Sequence, residues 1–99
     1  MVERTPRVGS SEDPVVSRVT FAGKDVLEVG CGSGKFTLLH LTPASSVLGI
    51  DPNQEAIDGL RAKWAEVAAN ARGDFRAGDI TVFPLLQEAF DVAVFARSL

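Results

Sequence analysis

A chain of 99 residues, 45% hydrophobic and 23% charged, has room for one domain with a modest buried core. Its formal net charge of -3 and its single cysteine exclude two classes. A protein that grips a phosphate backbone needs a basic face, and an internal disulfide needs a second thiol. No apolar run approaches the ~18 residues of a membrane span, and "MVERTPRVGSSEDP" lacks the apolar centre of a signal peptide, so a soluble cytoplasmic protein is expected.

In chain order, residues 1–11 are polar and carry Pro6, Gly9, Ser10 and Ser11, which reads as a flexible N-terminal arm before a domain over 12–99. "SEDPVVSRV" predicts a helix start: Ser11 can cap, Glu12 and Asp13 suit the positive end, and Pro14 fits the first turn. "DVLEV" (25–29) predicts a buried strand, "GKFTLLHL" (34–41) a helix closed by Pro43, and "SVLGI" (46–50) a second strand. "NQEAIDGLRAKWAEVAAN" (53–70) is the clearest helix. Asn53 caps it, and Ile57, Leu60, Trp64, Val67 and Ala68 form its apolar face. "DFRA" (74–77) predicts a third strand, Pro84 to Glu88 a short helical turn, and "FDVAVFA" (90–96) a fourth strand. Short apolar strands alternating with helices argue for a parallel sheet covered on both faces.

The stretch "VLEVGCGSGKF" places Gly30, Gly32 and Gly34 between the first strand and a helix. Glycine permits positive φ and close approach of backbone to a ligand, and ligands of open α/β sheets bind outside the C-terminal strand ends. Asp51 closes the next strand, 21 residues after Gly30, where a carboxylate can accept hydrogen bonds from ribose hydroxyls. Turn and carboxylate together point to a nucleoside-containing cofactor. A P-loop is excluded because Phe36 stands where the Mg²⁺-binding hydroxyl belongs and Val29 where the first glycine belongs. A dinucleotide loop is disfavoured because Lys35 replaces the glycine that lets helix and strand pack closely.

"VLEVGCGSGKFT" resembles motif I of the class I S-adenosylmethionine-dependent methyltransferases. "VLGIDPN", "FRAGDI" and "FDVAVFARSL" resemble the segments that follow in that family, in the same order, so the resemblance covers roughly residues 20–99. It implies a Rossmann-like three-layer α/β sandwich, truncated to about four parallel strands in order 3-2-1-4 with flanking helices. It also implies S-adenosylmethionine as cofactor and methyl transfer as the reaction. Glu28 and the backbone of Gly30, Cys31, Gly32, Ser33 and Gly34 would surround the methionine portion. Asp51 would bind the ribose, with Pro52 and Asn53 bordering the adenine. Asp79 would accept from the adenine amine while Ile80 packs on the ring, and the backbone at Phe95 and Ala96 would face the reacting methyl.

No catalytic residue or metal ligand is indicated. Cys31 lies inside the turn with no base beside it, His40 suits a helix C-terminus, and Trp64 suits the core. Arg97 is balanced between an acceptor-side role and a solvated terminus. In the order 3-2-1-4 the fourth strand is an edge, apolar on both faces, so a homodimer through Phe90 to Ala96 is expected. Two other readings stand beside an active methyltransferase: a cofactor-binding module without transfer activity, and an NAD-binding Rossmann fragment. The acceptor is expected to be a small molecule rather than nucleic acid.

Overall fold

The short apolar runs become strands, and every strand pairing among the described residues is parallel. The computed structural model describes residues 7–10, 20–68, 72–79 and 90–96. In chain order the elements are β1 (Arg7–Ser10), β2 (Asp25–Val29), α1 (Lys35–His40), β3 (Ser46–Asp51), α2 (Gln54–Val67), β4 (Arg72–Ala77) and β5 (Val92–Phe95). They form a five-stranded sheet in the order β1-β5-β2-β3-β4. The order expected from the sequence is therefore present, with β2 at its centre, and an additional strand lies beyond β5.

That additional strand corrects two expectations. Arg7–Ser10 belongs to the sheet, not to a loose arm: it runs parallel to β5 with Arg7 opposite Val92 and Ser10 opposite Phe95. The fourth strand of the sequence reading is thus flanked by β1 on one side and β2 on the other. The exposed edge that motivated a homodimer through Phe90 to Ala96 is covered, because β5 has backbone partners on both sides. The polar composition of "RVGS" hid this strand; an edge strand needs backbone pairing more than it needs an apolar face.

Side chains of the central strands alternate between two cores. Val26, Val47, Phe75, Val92 and Val94 join Ile57, Leu60 and Trp64 of α2 on one face. Leu27, Leu48, Ile50, Phe90 and Ala93 build the other. Burial on both faces explains why β2, β3 and β5 read as continuous apolar runs rather than alternating ones. Trp64 packs edge-on against Phe75 with ring centroids 5.3 Å apart, which makes it a core residue, as its spacing suggests.

Asn53 caps α2 as expected, its side chain accepting the Ala56 N–H at 3.1 Å. The helix ends at Val67, three residues short of the expected 70, and Val67 is exposed at the flank of the apolar stripe. Strand β4 starts two residues before the expected 74, paired with β3 from Arg72↔Ser46 to Ala77↔Asp51. Arg61 of α2 locks onto it by donating to the Phe75 carbonyl at 2.9 and 2.6 Å. The helix expected from Ser11, the turn from Pro84 to Glu88, Ile80 and Arg97 lie outside the described residues.

Candidate functional site

Because all the strands run the same way, their C-terminal ends meet at one rim of the sheet. Val29, Asp51, Ala77 and Phe95 end β2, β3, β4 and β5 there. After β2 the chain moves outward through β3 and β4, then returns to the other side of β2 as β5. The rim beside β2 is therefore the point where the winding reverses, which is where open α/β sheets form a ligand crevice.

The glycine turn sits at this point. Gly30, Gly32 and Gly34 have φ of 79°, 53° and 95°, a left-handed series that side-chain-bearing residues rarely adopt. The Gly30 N–H donates to the Ile50 carbonyl at 2.7 Å, and the Gly34 N–H donates to Cys31 O at 3.0 Å, which closes the turn. The Gly34 carbonyl accepts the Leu38 N–H at 2.8 Å and so starts α1. A Cβ on Gly34 would collide with Leu60 of α2, so a glycine there also sets how closely turn and helix approach.

Asp51 joins this turn from β3. Its Oδ2 accepts the Gly32 N–H at 2.9 Å and its Oδ1 accepts the Asn53 N–H at 2.9 Å. Asp51 is 4% exposed and ties the loop that follows it to Gly32, 19 residues before it in sequence. Each of its oxygens keeps a further lone pair, so it can still accept from a ligand hydroxyl at the crevice. The Asp51 carbonyl accepts the Gly78 N–H at 3.0 Å, which ties the loop after β4 to the same rim.

Glu28 occupies the layer beneath the turn. It faces the same side of the sheet as Val26 and is fully buried. Thr37 of α1 donates its hydroxyl to Glu28 Oε1, while Oε2 has no hydrogen-bond partner. Burial, opposed by the Thr37 hydrogen bond and assisted by the nearby Asp51 carboxylate, raises the Glu28 carboxyl from its ordinary 4.5 to about 7. Thr37 was not singled out in the sequence. The signal for it was a lone hydroxyl residue in the apolar run "FTLLHL", one turn inside a helix that begins at the glycine loop.

The other expected site residues divide by exposure. Ser33, Pro52, Asn53 and Asp79 are exposed at the rim, where a ligand would meet them. Phe95 is 39% exposed at the end of β5, an apolar side chain beside the crevice, and the Ala96 N–H donates to Val29 O at 2.8 Å. Cys31 is buried, and burial together with the Glu28 and Asp51 charges pushes its thiol up to about 12. Such a thiol is not ionised near neutrality, so it supplies volume and not a nucleophile.

Geometry and relatives agree. The methyltransferase domain profile matches residues 26–99. A probable S-adenosylmethionine-dependent methyltransferase of Mycolicibacterium smegmatis is 36% identical over 73 residues, which are 74% of this chain and 26% of that protein. The crystal structure of an S-adenosylmethionine-dependent methyltransferase from Methanosarcina mazei superposes with a TM-score of 0.62 at 26% identity, covering 82% of this chain and 40% of that one. Phosphoethanolamine N-methyltransferase 1 of Haemonchus contortus, solved with phosphoethanolamine and S-adenosylhomocysteine, gives a TM-score of 0.55 at 27% identity over 66% of this chain and 14% of that one. This chain thus spans about a quarter of the curated relative's length. It belongs to the class I S-adenosylmethionine-dependent methyltransferase family.

Proposed function

We propose that this chain binds S-adenosylmethionine at the rim formed by β2, β3 and β4 and takes part in methyl transfer to a small-molecule acceptor. One observation carries the reading: Asp51 accepts the Gly32 N–H, so the carboxylate suited to a ribose and the glycine turn suited to an amino-acid moiety are joined at one rim. The residues fit the cofactor chemically. A cofactor with cationic ammonium and sulfonium groups suits a rim bearing Asp51 above Glu28. It has no phosphate, so the turn needs no gap of pyrophosphate size. Asp79, at the end of the segment that follows β4, would receive the adenine amine.

The cofactor, when bound, supplies an already activated methyl group. The chain's own part is then positioning and exclusion of water: the Gly30–Gly34 backbone and Asp51 hold the ligand, and the β5 end, with Phe95 and Ala96, faces the acceptor. A small acceptor accords with the lack of a basic balance in the chain and with the solved relative that was crystallised with phosphoethanolamine. No helix among the described residues is long and apolar enough to cross a membrane, and the buried free thiol suits a reducing cytoplasm.

Calorimetric titration with S-adenosylmethionine, S-adenosylhomocysteine and NAD tests the binding. Both sulfur ligands are expected to bind with Asp51-dependent affinity. Heat from NAD alone would sink the assignment. A methyl-transfer assay across amine, hydroxyl and thiol acceptors tests the reaction, and binding without transfer to any of them would leave a cofactor-binding module.

A further inference from the structure

We propose that ionisation of Glu28 sets the preference of this site for S-adenosylmethionine over S-adenosylhomocysteine. The inference rests on the cofactor assignment above and deepens it. The two ligands share the nucleoside and the amino-acid end. They differ at sulfur, where the cofactor carries a methyl group and a positive charge and the product neither. A group that discriminates by charge must therefore act electrostatically, and its own charge must be able to change.

Glu28 meets both conditions. It lies in the central strand directly below the turn, between Gly49 of β3 and Val94 of β5, with no water contact. One of its oxygens has a partner, Thr37, and the other has none. A buried carboxylate with an orphan oxygen is costly to ionise unless a positive charge arrives. Among the described residues no group around it supplies one. From the end of β3 the Asp51 carboxylate raises it further, and the Cys31 thiol in the turn, pushed up to about 12, is neutral near neutrality. Of the titratable residues on α1, Lys35 is exposed and His40 stacks on Phe36 with centroids 4.6 Å apart.

In the free protein near neutrality Glu28 therefore carries a proton for a large part of the time. A sulfonium ligand at the turn stabilises the anion: the Glu28 O–H bond breaks, the proton passes to the buffer, and no other bond changes. The thioether product stabilises that anion less. Raising the pH through about 7 then increases the preference for cofactor over product. The expected gain is on the order of threefold to tenfold in the ratio of dissociation constants.

The test is calorimetric titration of the chain with each ligand at about pH 5.5 and about pH 8, repeated for Glu28→Gln, which mimics the protonated carboxyl. The wild-type ratio of the product's Kd to the cofactor's is expected to rise severalfold, and the Gln variant's to rise by less. The variant carries every other titration, including those of the ligands, so the difference isolates Glu28. Equal pH dependence in both proteins overturns the proposal while leaving the cofactor assignment intact. Binding of neither ligand overturns the assignment, and the proposal with it. A second readout uses the unmutated protein: the ¹³C carboxyl resonance of Glu28 should titrate near 7 when free and lower with S-adenosylmethionine than with S-adenosylhomocysteine. Identical midpoints with the two ligands would also overturn it.

Discussion

Glu28 and Asp51 are two buried carboxyls at the same rim, one strand apart, and they are treated in opposite ways. Asp51 at the end of β3 has a backbone N–H on each oxygen. Glu28 in β2 has one hydroxyl partner and one orphan oxygen. The upper carboxyl is built into the loops that line the crevice, so it defines shape and offers acceptors. The lower one lies under the turn, so what it would offer a ligand, on the proposed reading, is charge. The difference teaches that one residue type at one rim can serve positioning and electrostatics separately, according to how many donors the backbone supplies.

The largest effect expected from this contrast is on stability. The Glu28 carboxyl is raised in the folded state to about 7 from an ordinary value of 4.5. The folded state then binds more protons than the unfolded state between those values. Its stability is full below the lower value and falls as the pH rises through the upper one, by about 3 kcal/mol in total. Urea denaturation of wild type and Glu28→Gln across this range should show the wild type losing that amount relative to the variant. Parallel curves would mean that Glu28 is not held protonated.

Next in size is the turn that separates the two carboxyls. Gly34→Ala places a Cβ into Leu60 at a φ of 95°. Backbone strain and the collision should together cost about 2 kcal/mol. Chemical denaturation measures the loss. A change of a few tenths would show that α2 can shift away from the turn and that the cradle is less rigid than Asp51 implies.

Asp51→Ala removes acceptors from two backbone N–H groups and from the ligand. Affinity for S-adenosylhomocysteine should fall by about 1–3 kcal/mol, roughly tenfold to a hundredfold. An unchanged Kd would confine Asp51 to loop structure and erase its contrast with Glu28.

The two carboxyls were not equally legible in the sequence. Asp51 stands at the end of an apolar run with Pro52 behind it, and its distance from the glycines already suggests a partner for the turn. The parallel order of β2 to β5 was legible for the same reason: strands buried on both faces advertise themselves as apolar runs. Glu28 was recognisable as a site residue, but its state was not, because that depends on how deeply the fold buries it, on Thr37 arriving from α1 and on Asp51 arriving from β3. Strand β1 was invisible because "RVGS" has no apolar pattern, and backbone pairing with β5 is a tertiary fact that no local stretch encodes.

The smallest expected effect separates Thr37 as an electrostatic partner from Thr37 as packing. Thr37→Val keeps the shape of the side chain and removes the one donor to Glu28 Oε1. That hydrogen bond favours the ionised carboxyl, so its loss should move the Glu28 midpoint further up. Above the midpoint the variant buries an anion with no donor at all, and it should be destabilised by about 1 kcal/mol. Below it, the carboxyl is neutral in both proteins and the penalty should shrink. Denaturation of wild type and variant on either side of the midpoint decides the matter. A penalty that grows with pH makes Thr37 the partner of the charge, and one that is the same at both pH values makes it a filler of space under the turn.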